Sequence, residues 1–407
     1  MADSFVIRKL KDLKHSIFRV RSNHYIRKLE SKPVGSVVKV GFIVQMPEIW
    51  HTEKSIYETM CADARFEPWL IIVPSYKFVT GGFETEVDPF YLNECKNGKK
   101  IVTYQDGKWV DIDIDSFDYI FYQRPYEVYL PRHLRSEQVV CHSRVCYVPY
   151  ATKEIKDPTT FEDDFFRDVY LGFHEYDDIA LSLNKTYPSK THTRYLSIGN
   201  TALEKAMKIN KECRYSRVLW APRWSTDPLI GGSHFLDYYK QFGEFSWGSN
   251  EFIIRPHPLM WDNFVKEGIV TVEEKEKILA EWNERGFKID GNTSIYDTFN
   301  DIDILISDRS SIIPMFFMTG KPIIYCPFGD DLVDMFKLVI SGSYCVNNWD
   351  ELESTVNMLL RGEDPLKDKR LSILKELNLK YNRSTEAIVE HIYTDSRRYA
   401  VREVTEQ

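Results

Sequence analysis

The apolar residues of this chain gather in short runs, three to eight long, and most runs end in a polar turn. Runs of that length are too short for a buried helix and suit strands covered on both faces. In the first half they fall at residues 37–44, 66–73, 118–122 and 144–148, with a helix expected over 53–64. In the second half they fall at 218–221, 251–254, 287–289, 302–306 and 323–325. The stretch 302–326, IDILISDRSSIIPMFFMTGKPIIYC, displays the repeating unit in full. An apolar run leads into a polar turn from Ser307 to Ser311, then an apolar helix over 312–318, then Gly320 as its stop before a second strand. Strand, turn, helix, strand is one βαβ unit of a parallel sheet. Its repetition predicts a doubly wound α/β domain in each half. Residues 161–185 read as one further helix, and helices are expected from about 350 to 406.

Length turns this pattern into an architecture. At 407 residues the chain exceeds one ordinary core. The expected division is a basic segment and linker over 1–36, a first α/β domain over 37–200, and a second over 201–407 that carries the closing helices. A net charge of −8 argues against general nucleic-acid binding. No apolar run reaches the roughly 18 residues of a membrane span, and no signal peptide is visible. Seven cysteines without paired spacing indicate reduced thiols and a cytoplasmic setting.

The first 32 residues stand apart, with nine Lys or Arg against three acids. Val6, Leu10, Leu13, Ile17 and Val20 recur at helical spacing, with most of the basic residues off that stripe. Such a helix can lie on an anionic membrane, as a peripheral anchor on the inner face, or pack on the protein with a solvated basic face. Trp109–Asp115, WVDIDID, contains a pair of acids at metal-ligand spacing. Strict alternation instead predicts an edge strand with its aspartates to solvent.

Candidate chemistry collects at the strand ends of the second half. Arg223 follows the first run, Arg255 and His257 the second, Asn292, Thr293 and Ser294 the third, and Asp308, Arg309, Ser310 and Ser311 the fourth. A parallel sheet brings such ends to one edge, where guanidinium groups and hydroxyls suit a diphosphate. His257 lies between Pro256 and Pro258, on a stiffened turn from which an imidazole can meet a phosphate oxygen or pass a proton. The plainer readings are a structural histidine in a turn and a serine N-cap beside a surface Asp-Arg pair. In the first half Gln45, Trp50, Arg124 and Tyr150 occupy the corresponding ends and are expected to line a cleft, which becomes the acceptor cleft under the family resemblance described next.

Arg255-Pro-His-Pro258, the later SDRSS…KPIIY and the upstream LWAPRW together resemble the CDP-glycerol glycerophosphotransferase family, the teichoic-acid-type polymerases and primases of bacterial walls and capsules. The resemblance implies a GT-B architecture of two Rossmann-like domains facing a cleft, with CDP-glycerol held mainly by the second. His257 would contact the diphosphate and act in catalysis, Ser310 and Ser311 would bind phosphate oxygens, and Arg223 and Arg255 would line the same pocket. A glycan or glycolipid hydroxyl would be the acceptor, and no motif calls for a protein-held divalent metal or other cofactor. Two departures stand out. Arg309 occupies a position where the family has Tyr, and Ile312-Ile313-Pro314-Met315 occupies one where it has an Asp. The family's His-Gly turn, bearing its presumed base, corresponds here to Tyr147-Val148-Pro149-Tyr150-Ala151-Thr152-Lys153. His51, His142 and His174 remain as candidate imidazoles. A CMP-sugar transferase of sialic acid or Kdo type and a nucleotide-binding module without turnover are the alternatives.

Overall fold

The computed structural model describes residues 18–77, 80–95, 98–152, 164–209, 211–227, 232–329 and 331–400. The chain forms two compact units, Met1–Tyr150 with Asp157–Thr201 and Arg383–Gln407, and Ala151–Lys156 with Ala202–Asn382.

The first unit is a seven-stranded parallel sheet. Its strands are β1 (Val38–Val44), β2 (Phe66–Ile72), β3 (Lys99–Val102), β6 (Tyr119–Tyr122), β7 (Arg144–Tyr147), β8 (Leu171–His174) and β9 (Tyr195–Ser197). A small hairpin, β4 (Tyr104–Gln105) with β5 (Lys108–Trp109), lies apart from it. The order β3-β2-β1-β6-β7-β8-β9 reverses between β1 and β6. Central strands are buried on both faces, as their unbroken apolar runs require: all four residues of β6 and all four of β7 are buried.

The second unit is a six-stranded parallel sheet of β10 (Arg217–Ala221), β11 (Glu251–Ile254), β12 (Lys288–Ile289), β13 (Ile304–Asp308), β14 (Ile323–Cys326) and β15 (Tyr344–Cys345). Its order, β12-β11-β10-β13-β14-β15, reverses between β10 and β13. Aromatic side chains fill one face. Trp220 of β10 stacks on Phe235 at 5.5 Å and meets Phe242 at 4.6 Å, and Phe252 of β11 lies 4.9 Å from Phe242. Burial of each such side chain contributes about 1.5–3 kcal/mol.

Several expectations are corrected. Residues 161–185 are not one helix: Asp164–Asp168 is helical, β8 follows, and Asp177–Thr186 is helical again. β8 is four buried residues between two short helices, so polar helical faces on either side mask its period. Residues 110–113 form no edge strand and lead into a 3-10 turn, Ile114–Ser116. The helices expected at the C-terminus do not all close the second unit. From Arg383 the chain returns to the first, where Tyr119 donates to Asp395 of helix Ser384–Arg397 at 2.8 Å. Gly199, at φ 131°, admits that helix, since a Cβ there would collide with Ser384, whose Oγ accepts the Asn200 amide at 2.9 Å.

Of the basic N-terminal stripe, Val6, Leu10, Leu13 and Ile17 lie outside the described residues. Residues 18–29 are helical; Ile26 and Leu29 are buried, whereas Val20 is 70% exposed. Among the described residues no helix is long and apolar enough to cross a membrane.

Candidate functional site

In a doubly wound sheet the crevice for a ligand opens where the strand order reverses, at the carboxyl ends of the two strands that flank it. In the second unit those strands are β10 and β13, which run side by side with Ala221 opposite Ser307. The residues that follow them are Arg223 and Arg309 to Ser311.

Asp308 organises this crevice. It ends β13 at 1% exposure. Its Oδ2 accepts the Arg223 amide at 2.9 Å and the Ser233 hydroxyl at 3.1 Å, and its Oδ1 accepts the His234 amide at 3.1 Å. Burial pushes its pKa up, and these donors draw it back. The carboxylate therefore serves the protein's own loops, a positioning role in place of the expected ligand contact. Arg223, half-buried, donates through Nη1 to the Arg309 carbonyl, so the loops after β10 and β13 are joined directly.

Arg255 is tied in the same way to the loop after β12. Its Nη1 pairs with Asp290 and donates to the Asn292 carbonyl at 2.9 Å and to Thr298 Oγ1 at 3.2 Å. Much of its charge is thus met within the protein. Asn292 and Thr293 are exposed, and Ser294 is the N-cap of helix Ile295–Asp301. Ser294 makes no side-chain capping bond.

His257 is exposed, yet it stands in a recess dense in protein atoms. That desolvation, followed by the charges of Arg223 and Arg255, pushes its imidazole down to about 4. Its Nδ1 lies 3.2 Å from the Leu259 amide and accepts from it, so the neutral ring carries its proton on Nε2. The same two arginines act on one imidazole, which brings the ends of β10 and β11 to one place.

Ser310 and Ser311 are half-buried ahead of helix Ile312–Phe317. Ser311 occupies the N-cap position without a side-chain capping bond, and the Thr152 hydroxyl holds its carbonyl at 3.0 Å. Ser310 Oγ reaches the Ile312 amide only at 3.5 Å. Neither hydroxyl is firmly committed to the fold. Arg309 is buried, at 4% exposure.

The first unit has its own reversal, between β1 and β6, and protein side chains fill it. Gln123 Oε1 accepts the Gln45 and Met46 amides at 2.7 and 3.0 Å, and Arg124 donates to Gln45 Oε1 at 2.6 Å. Gln45, Arg124 and Trp50 are 3%, 8% and 2% exposed, and Trp50 donates to Glu94. The expectation that these three face an open cleft is corrected: a crevice lined with amides closes on itself once the amides satisfy one another. Tyr150 is half-buried, its hydroxyl 3.3 Å from that of Tyr126.

His51 and His174 lie at the carboxyl edge of this sheet, just after β1 and at the end of β8. His142 precedes β7 on the opposite edge and pairs with Asp115 at 3.0 Å. Sequence reading passed over Glu53, a fully buried carboxyl whose oxygens have no hydrogen-bond partner among the described residues and whose pKa burial pushes well above the usual carboxylate range. Its place in the first turn of helix His51–Cys61 resembles that of any acid facing a helix start, so nothing in the sequence marked it. Among the described residues no group of three or more His, Cys, Asp or Glu is arranged to hold a metal.

No family model matches the chain, and no curated protein matches it. Solved structures do. The wall teichoic acid polymerase TagF, in a variant soaked with CDPG, aligns at a TM-score of 0.54 and 12% identity, over 96% of this chain and 98% of its own. MnaA of S. aureus in complex with UDP aligns at 0.53 and 13%, over 88% and 96%. The UDP-GlcNAc 2-epimerase of Methanocaldococcus jannaschii aligns at 0.53 and 12%, over 88% and 100%. The fold is GT-B. At such identities the likeness carries the architecture, and the chemistry rests on the residues.

Proposed function

We propose that this protein is a transferase that moves glycerol phosphate, or a related polyol phosphate, from a CDP-activated donor to a hydroxyl of a bacterial cell-surface glycan or glycolipid. What supports the reading is that Arg223, Arg309, Ser310 and Ser311 follow the two strands that flank the reversal of the second unit's sheet, with His257 after the neighbouring β11. Cations, uncommitted hydroxyls and a neutral imidazole with a proton to donate are the groups a diphosphate requires. TagF, soaked with CDPG, supports the choice of donor by analogy.

In this reading the acceptor oxygen attacks the distal phosphorus in line. A new P–O bond forms, the bond to CMP breaks, and the hydroxyl proton passes to a base or to water. Arg223 and Arg309 offset charge on the phosphates, and His257 donates through Nε2 to an oxygen that becomes more negative in the transition state. Ser310 and Ser311 fix the phosphates in position, and Arg255 braces the loop beside them. The test is release of CMP from CDP-glycerol in the presence of glycan or glycolipid acceptors. The proposal expects turnover that His257→Ala abolishes while the fold is retained. Near wild-type turnover in that variant would remove His257 from the mechanism. Tight nucleotide binding with no turnover on any acceptor would favour a binding module.

A further inference from the structure

Arg309 carries a charge that the protein does not answer. It is 4% exposed, its Nε is sealed from solvent without a hydrogen bond, and its guanidinium donates to no acceptor and pairs with no carboxylate among the described residues. The adjacent carboxylate, Asp308, spends both oxygens on Arg223, Ser233 and His234. A guanidinium cannot shed its proton to escape burial, so the charge remains. Such a group is destabilising unless something outside the protein completes it.

The loop after β14 passes over the guanidinium at Gly329, which has φ 73°, and a Cβ there would lie 3.4 Å from Nη1. The absence of a side chain keeps that approach open. Tyr325 of β14 ends in the same place, its hydroxyl sealed from solvent. Arg309 is near enough to lower the cost of ionising that hydroxyl, although burial dominates and pushes it up to about 12. Arg223 stands at the end of β10, whereas Arg309 reaches toward β14, so the two guanidiniums serve different points of the crevice. A nucleoside monophosphate presents one phosphate, which one of the two can hold, whereas the two phosphates of a diphosphate engage both.

We propose that Arg309 is a selectivity residue that takes the distal phosphate of the donor and makes the site prefer nucleoside diphosphates to monophosphates. This rests on the nucleotide site described under Proposed function. The planar fork of the guanidinium suits two oxygens of one phosphate, which a lysine ammonium matches only as a point charge.

The test is calorimetric titration of the full chain, as wild type, Arg309→Met and Arg309→Lys, with the pairs CDP and CMP, UDP and UMP. The thermal midpoint of each is measured without nucleotide. The wild type is expected to bind CDP at least about tenfold tighter than CMP. Arg309→Met should weaken the diphosphate by about tenfold to a hundredfold and the monophosphate by less than about threefold, with Arg309→Lys between. With the buried charge gone, the nucleotide-free midpoint of Arg309→Met should be unchanged or higher. Equal weakening of both nucleotides, or a midpoint that falls in Arg309→Met and Arg309→Lys alike, would overturn the proposal and make Arg309 structural. The pair of bases separates the two readings. Diphosphate selectivity lost in the variant, but seen with uridine alone, would retain Arg309 and discard the cytidine donor. Binding of no nucleotide would discard both.

Discussion

Two aspartates do most to place the cations of the second unit. Asp290 anchors Arg255, and Asp308 accepts two backbone amides and a hydroxyl while nearly inaccessible to solvent. Asp308→Asn replaces one accepting oxygen with a donor that would face a backbone N–H, at a cost of about 1–3 kcal/mol. Chemical denaturation should show that loss; an unchanged midpoint would mean that the loops after β10 and β13 hold without it. His257 gives a pH signature. Its folded pKa, near 4, lies below the value of about 6.5 expected in the unfolded chain. As pH falls through that window the unfolded state takes the proton first, so the stability His257 contributes is present above about 6.5 and declines toward about 4. Wild type should therefore lose more stability than His257→Ala between those limits, and identical profiles would contradict the depressed pKa. The strand-end placement of Arg223, Arg255, His257 and the serines was legible in the sequence because each follows an apolar run. The division of labour among them was not. Whether an Asp or Arg faces a ligand or a neighbouring loop depends on hydrogen bonds formed between distant segments, such as those of Asp308 with His234 and Arg223, 74 and 85 positions away.

At the scale of elements, Ser310 and Ser311 precede a six-residue helix whose start they do not cap firmly through their side chains. The double change Ser310→Ala with Ser311→Ala should therefore leave the thermal midpoint nearly unchanged and weaken CDP-glycerol by about 1–3 kcal/mol. A large drop in the midpoint with unaltered affinity would assign the serines to the fold. The helix Ser384–Arg397 belongs to the first unit, where it packs beside helix His51–Cys61 and receives the Tyr119 hydroxyl. Removal of residues 383–407 should expose that apolar face and lower the first unit's unfolding transition, which calorimetry would register. β1, β2, β6, β7, β10, β11, β13 and β14 could be read directly, being buried runs bounded by turns. β3, β8, β9 and β15 could not. β9 and β15 have only three and two residues, β3 opens with two lysines, and β8 lies between helical segments without a turn signal, so it was absorbed into one expected helix.

At the scale of the whole molecule, the repeat of strand, turn and helix sufficed to indicate two doubly wound units, and the aligned GT-B structures agree on that architecture. The return of the last helix was not legible, because amphipathic spacing marks a face to be buried and does not say against which unit. The same limit applies to the donor, since a parallel sheet edge with cations fits several activated nucleotides. The account's central claim is that the second unit holds a CDP-polyol. Calorimetric titration with CDP-glycerol, CDP-ribitol, CMP-sialic acid, CMP and UDP tests it most directly. The account predicts selective binding of a CDP-polyol, weaker binding of CMP and no heat with UDP. Preference for UDP, or tighter binding of CMP-sialic acid than of either CDP-polyol, would contradict it.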